Sequence, residues 1–158
     1  TLARRYRRWF EYERAVHDLV FDSLETVPEA NRGSAGYHKA LELMGHIAAA
    51  RAIWLSRLGG PPFSGPRFPV APSLPQIRAE WAALVSHWTP LLEALDDAQL
   101  AEDVNYHMLD GTPRCNTRED VLTQLFGHSS YHRGQIATLV KAAGGEPAMT
   151  DFIHWVRA

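Results

Sequence analysis

The chain has almost no sulfur chemistry available to it. It holds a single cysteine, Cys115, which excludes an internal disulfide and suits a reducing compartment, the cytoplasm. No apolar run approaches the ~20 residues of a membrane span. A positively charged start followed by an apolar stretch and a small-residue cleavage site is also missing, so no secretory leader is expected. Nor is there an excess of one charge. The 16 Lys and Arg against 18 Asp and Glu leave a net charge of −2, which gives no electrostatic reason to expect nucleic acid as a partner. What remains is a chain of 158 residues that is 46% apolar. That is the size of one domain, residues 1–158, long enough to bury a proper core.

Apolar periodicity places four long helices. Tyr6, Trp9, Val16, Leu19, Val20 and Leu24 keep helical spacing from about Leu2 to Thr26, and Pro28 stops the run. Arg4, Arg5, Arg7 and Arg8 cluster near its start and read as a solvated face rather than a phosphate patch. His17 on this helix lacks an i+4 partner and reads as an ordinary histidine. A second helix is expected from about Tyr37 to Leu58, with Leu43, His46, Ala50, Ile53, Trp54 and Leu58 on one stripe, ended by Gly59-Gly60-Pro61-Pro62. Six prolines between Pro61 and Pro75 rule out helix and central strand there. Ser73 with Gln76 reads as a capping box opening a third helix, with Ile77, Trp81, Leu84, Trp88, Leu92 and Leu95 inward. Pro90 is expected to kink that helix near Thr89. His38 and His87 fall outside the stripes and read as exposed. From Asp103 to Arg114 the period drops to two around Asp110-Gly111, which predicts a short hairpin with a two-residue turn. Thr117 and Asp120 open the fourth helix, roughly Thr117 to Ala143, closed by Gly144-Gly145. The tail around Phe152-Ile153-His154-Trp155 is apolar enough to pack back on the bundle.

The fourth helix carries the chemistry. His128 and His132 are four residues apart, on one face of a helix that advances 3.6 residues per turn. That face is continued by Val121, Leu125, Ile136 and Leu139, so both imidazoles are expected to point inward, where they can converge on one metal ion. Satisfied core histidines also occur at this spacing. His46, a lone inward histidine on the second helix, is the best candidate for a third ligand. Three neutral nitrogens would leave a position open for water or substrate. Ser129 stands where the protease motif H-E-x-x-H needs Glu, which excludes a zinc protease. No carboxylate ligand is evident, which counts against a two-histidine, one-carboxylate iron site. Gly127, Ser130 and Gly134 form a small-residue stripe, expected to let another backbone approach, in a helix pair or a dimer face.

The residues Asn105-Tyr106, Asp110-Gly111, Phe126-Gly127-His128 and Tyr131-His132-Arg133-Gly134-Gln135-Ile136 together resemble the DinB-like family of damage-inducible metalloproteins. So do Gly144-Gly145, Thr150-Asp151-Phe152-Ile153, and His46 eight residues before Trp54-Leu55. The resemblance covers nearly the whole chain, and H-x-x-x-H-R-G-Q is its specific part. It implies an all-α, up-down-down-up four-helix bundle, a divalent metal on His46, His128 and His132, and frequent homodimers. Relatives of that family include thiol-dependent enzymes: bacillithiol S-transferases and mycothiol-dependent maleylpyruvate isomerase.

Three functions follow as alternatives. The first is a metal-dependent enzyme acting on a small-molecule substrate, a transferase using a low-molecular-weight thiol or a hydrolase using water. Tyr106, Tyr131 and Arg133 are its candidate catalytic residues, although Arg133, directly after a ligand, can instead anchor the helix. The second is a non-catalytic stress-response protein with a structural metal. The third, DNA binding, rests on the arginine cluster alone. Imidazole suits zinc, nickel, copper and iron alike.

Overall fold

The computed structural model describes all residues, 1–158. Helix α1 (Leu2–Glu25) starts at Thr1, whose hydroxyl accepts from the amide of Arg4. Its buried face includes Tyr6, Phe10, Glu13, Val16, His17, Val20 and Leu24. This is the 3.6-residue stripe of an amphipathic helix, with a carboxylate and an imidazole set into it. Helix α2 (Ala35–Arg57) is capped by Ser34 and ends at Leu58, where Gly59 adopts φ +89°, the left-handed turn that glycine makes without strain.

Residues 59–73 contain no helix or strand. Helix α3 (Leu74–Ala94) then starts at Ser73 with half of the expected capping box. The Ser73 hydroxyl accepts from the amide of Gln76, while the Gln76 side chain bonds Glu80. The helix runs through Pro90, one turn before its end, to Ala94.

A short helix not foreseen from the sequence, α4 (Asp97–Leu100), is opened by an Asp96–Gln99 capping box. Its Asp97 carboxylate accepts from the amides of Leu2 and Ala3 at the start of α1. An acid there answers the unpaired amides and positive end of a helix.

Strands β1 (Asp103–His107) and β2 (Pro113–Thr117) pair antiparallel, with Asn105 opposite Cys115. The turn is longer than two residues: Met108 and Thr112 bond across it, and Gly111 sits at φ +84°. Helix α5 (Arg118–Ala142) begins with the full Thr117–Asp120 capping box. The tail forms α6 (Phe152–Arg157), whose Phe152 and Trp155 rings lie 5.2 and 5.8 Å from Tyr12.

The protein is thus mostly helical with one small sheet. Helix α2 packs on α5 and α3, α1 packs on the same two, and the hairpin leans on α2 and α5. One apolar core joins the long helices, with Phe21, Leu24, Ile47, Ile77, Trp88 and Leu125 almost fully buried. No helix is long and apolar enough to cross a membrane.

The arginine cluster is in part structural. Arg7 donates to the carbonyls of Leu92, Glu93 and Leu95 at the end of α3, and the Arg8 guanidinium lies 5.7 Å from the Phe152 ring centroid. Two expectations are corrected: a close helix pair at the small-residue stripe, and an undivided apolar stripe on α2. Nothing lies within 4 Å of a side chain added at Gly127 or Gly134, so the small-residue stripe faces outward and admits no neighbouring backbone within the chain. The expected stripe of α2 is also divided. Leu43 and His46 are buried, but Ala50, Ile53, Trp54 and Leu58 are only half-buried. The true core face is rotated toward Ala40, Met44, Ile47, Ala48 and Leu55, and the half-buried residues mark a concave surface.

Candidate metal centre

Helix periodicity on α5 brings His128 and His132 to the same side, and α2 supplies His46 from across the interface. One ring nitrogen from each of the three lies within 4.8 Å of the others. His128 Nε2 and His46 Nε2 are 3.0 Å apart. The ring centroids are separated by 4.8 Å for His46 and His128, 4.9 Å for His46 and His132, and 4.5 Å for His128 and His132.

Two of the rings are oriented from behind. His46 Nδ1 lies 2.7 Å from the carbonyl oxygen of Arg67. A carbonyl only accepts, so Nδ1 carries the proton and Nε2 presents its lone pair. His132 Nδ1 likewise donates to Gln135 Oε1 at 2.7 Å, and Gln135 in turn donates to the Tyr131 hydroxyl. His128 Nδ1 is buried and has no partner. Backbone or amide acceptors behind metal-binding imidazoles are the usual way tautomer and ring angle are held.

The proline-rich segment shapes this arrangement. A Cβ on Gly45 would come within 3.0 Å of Pro69, so glycine lets the segment lie down on α2 beside His46. Phe68 then stacks on the His46 ring at 3.9 Å and 6°, and the preceding carbonyl of Arg67 reaches Nδ1.

Burial favours the neutral form of His46 and His128. It lowers the pKa of His46, opposed by the Arg67 hydrogen bond and aided by the neighbouring charge of His132. It lowers His128 to about 4, reinforced by His132 and His46. Neutral imidazole is the form that binds a metal. Two nitrogens ~2.1 Å from one ion at a tetrahedral angle lie roughly 3.4 Å apart, which three rings at the observed separations reach with small adjustments. Three convergent nitrogens, two of them on rings with fixed tautomers, fit a divalent ion.

A cleft of about 560 Å³ opens beside His46 and His128. Ala50, Ile53, Trp54, Val121 and Leu125 form its apolar floor, with Arg57, Arg67, Tyr106, Asn116 and Gln124 at its polar parts. Arg57 lies 4.5 Å from the ring centroids of both Trp54 and Tyr106, and donates to the carbonyl of His107 at 3.0 Å. Burial lowers the pKa of Arg57, with Tyr106 acting in the opposite sense and the charge of Arg67 in the same one.

The candidate catalytic residues are placed differently. Tyr106 lines the cleft, and its hydroxyl donates to Asn116 Oδ1 at 2.8 Å. Tyr131 is 65% exposed and touches the back of the site through His132 and Gln135. Arg133 faces away. It is 2% exposed and donates to His17 Nε2, the Tyr12 hydroxyl and Ser130. It serves as a helix anchor, the alternative reading of its position. Cys115 sits on β2 and is exposed. Desolvation and the Asp103 carboxylate raise its pKa, so the helix start that follows does not activate it.

Arg133 belongs to a second polar cluster that sequence reasoning did not find. Glu13 pairs with Arg51 and accepts from Ser129 Oγ at 2.7 Å. Burial alone would raise the Glu13 pKa, but Arg51, His17 and the hydrogen bonds outweigh it and the net shift is downward. Burial pushes His17 down to about 3. His17 is therefore neutral, and its 3.8 Å approach to Glu13 is not an ion pair. The available signal was Glu13 and Arg51 inside otherwise apolar stripes of two helices. Charges there are rare unless paired.

The search of curated proteins gave no match, and neither did the search of solved structures. The model of the DinB family, in contrast, matches residues 4–157, so with its helical fold and three-histidine cluster the chain belongs to the DinB family.

Proposed function

We propose that the protein is a metal-dependent enzyme of the thiol S-transferase type, with His46, His128 and His132 holding one divalent ion. The observation that carries this reading is the joining of the histidine cluster to an open cleft. A structural ion is closed off by its ligands, whereas a catalytic site keeps a position that solvent can reach. The chemistry an ion supplies in such a place is positive charge that lowers the pKa of a thiol or water.

The chain's own residues do the rest. Arg67 and Gln135 hold two ligand rings in one tautomer, Phe68 shields His46 from one side, and the apolar cleft wall excludes water from the electrophile. Tyr106 is placed to orient a substrate polar group. In the transfer, the thiol loses its proton to solvent or a nearby acceptor. The sulfur pair then forms the new C–S bond as the leaving group departs with its own pair. The up-down-down-up order and a homodimer belong to the same proposal. Helices α1 and α2 share neighbours rather than packing mainly on each other, and residues 58–73 are long enough to return along the fold.

The test is a cobalt-substituted sample. Glutathione or another small thiol should change its visible spectrum, and the sample should then conjugate that thiol to a reactive electrophile. A response to azide but to no thiol replaces this reading with a hydrolytic one. A spectrum that neither changes makes the metal structural.

A further inference from the structure

We propose that the cleft selects a small molecule with an apolar body and a terminal carboxylate, and that Arg57 and Arg67 read that carboxylate. The inference rests on the cleft being the substrate site of the metal centre. It adds a chemical class to that site.

Arg57 and Arg67 both line the cleft. Neither belongs to any of the five ion pairs of the protein. The one acidic residue lining the cleft is Asp120, one of whose carboxylate oxygens accepts from the amide of Thr117 in the α5 cap, so two cationic side chains stand against one anionic one. Two arginines thus line a half-enclosed space, part apolar and part polar, in which Asp120 leaves one positive charge in excess. Low-dielectric walls around like charges concentrate the field and attract an anion.

Arg57 is also fixed in advance. Trp54 and Tyr106 hold its plane at 4.5 Å from each ring centroid, and its single hydrogen bond goes to the carbonyl of His107. A guanidinium carries five N–H groups, so most of the fork remains available. A cation held before the ligand arrives loses little freedom on binding. The remaining lining, with Ala50, Ile53, Trp54, Leu109, Val121 and Leu125, suits an apolar body. A planar carboxylate matches the fork, and its single charge costs less to desolvate than a phosphate dianion.

The probes are 3-phenylpropionate and its neutral amide, titrated calorimetrically into chelator-treated, metal-free protein. The carboxylate should bind about tenfold or more tightly than the amide, as hydrogen bonds to charged groups imply. That preference should shrink at least several-fold in Arg57→Gln and in Arg67→Gln. Arg57 also steadies the hairpin, so the exposed loop residue Arg67 provides the variant in which folding is not at issue. Equal affinities for acid and amide overturn the proposal, as does the absence of binding by both. A preference unchanged in both variants overturns it too. A preference seen only with metal present, and abolished by His128→Ala, shows that the anion goes to the ion. That result overturns this inference and leaves the metal-enzyme reading standing. An arginine-dependent preference in a protein that binds no metal does the reverse.

Discussion

Helix α5 takes part in two polar clusters that are one residue out of phase. His128 and His132 face α2 and the cleft; Ser129 and Arg133 face α1 and the interior. In the second cluster every charge meets a protein group, although His17 Nδ1 and Arg133 Nε are buried without partners. Glu13 has Arg51 and Ser129, and Arg133 has Tyr12, Ser130 and the lone pair of His17. In the first, ring nitrogens converge on one another, and the protein supplies partners only behind them, at Arg67 and Gln135. The difference separates a structural network from a binding site. Buried polar groups that complete each other's hydrogen bonds hold helices in register. Ring nitrogens from three histidines that converge on one point, with His46 and His128 Nε2 only 3.0 Å apart, are arranged to share one ion. Burial does not distinguish the two, since His46 and His17 are both almost fully enclosed.

The comparison breaks first at Glu13. Glu13→Ala leaves the Arg51 guanidinium buried beside Phe10 and Trp88 without a counter-charge. The expected loss is about 3–5 kcal/mol of folding stability, the usual result of removing one partner of a buried pair. Urea unfolding of the metal-free protein measures it, and a loss under about 1 kcal/mol would mean that the network is not structural.

The opposite behaviour is expected of the open cluster. His46→Ala, His128→Ala and His132→Ala should each lose the bound ion, about one per chain, while the metal-free fold survives. Elemental analysis after gel filtration gives the stoichiometry, and full occupancy in His128→Ala would remove the site.

Acid should act on both clusters, with the same sign. His17, His128 and His46 all have folded pKa values below the ordinary histidine value. Groups of this kind contribute stability that is complete above the unfolded pKa, near ~6.5, and is lost as pH falls toward the folded value. The metal-free protein should therefore weaken progressively between about pH 6.5 and the folded values of about 4 for His128 and about 3 for His17. Glu13, Arg51 and Arg133 surround His17, so His17→Asn should flatten part of this slope. A stability curve flat from pH 7 to 4 would contradict the buried neutral state.

A finer probe sits behind the ligands. Gln135→Leu removes the acceptor from His132 Nδ1 and should weaken metal binding by about 10–100-fold without altering stoichiometry at saturating metal. A competition titration with a chelator of known affinity reads this, and unchanged affinity would mean that the ring needs no support. The smallest effect is expected at Cys115, on the far strand of the hairpin. Cys115→Ser should leave metal content unchanged, and a loss of metal with the fold intact would place the thiol in the site.

Much of this was legible in the residues themselves. Four amphipathic repeats, the caps at Ser73 and Thr117, and the Gly59 and Gly144 stops are local features, and local physics decides them. The pairing of His128 with His132 follows from helix geometry alone, and His46 was found because an imidazole interrupts an apolar stripe. Packing decided the rest. Arg67 lies 21 residues from His46, and no periodicity connects a backbone carbonyl to a ring it will orient. The Glu13–Arg51 pair and its Ser129 bond join three helices across separations of 38 and 116 residues. The outward turn of Gly127 and Gly134, and the cleft that leaves Trp54 half-buried, depend on which face each helix offers its neighbours. A sequence sets the period of a helix, and so which residues share a face. Which faces meet, and whether the space between them is closed by partners or left open to a ligand, is settled only when all the helices compete for the same core.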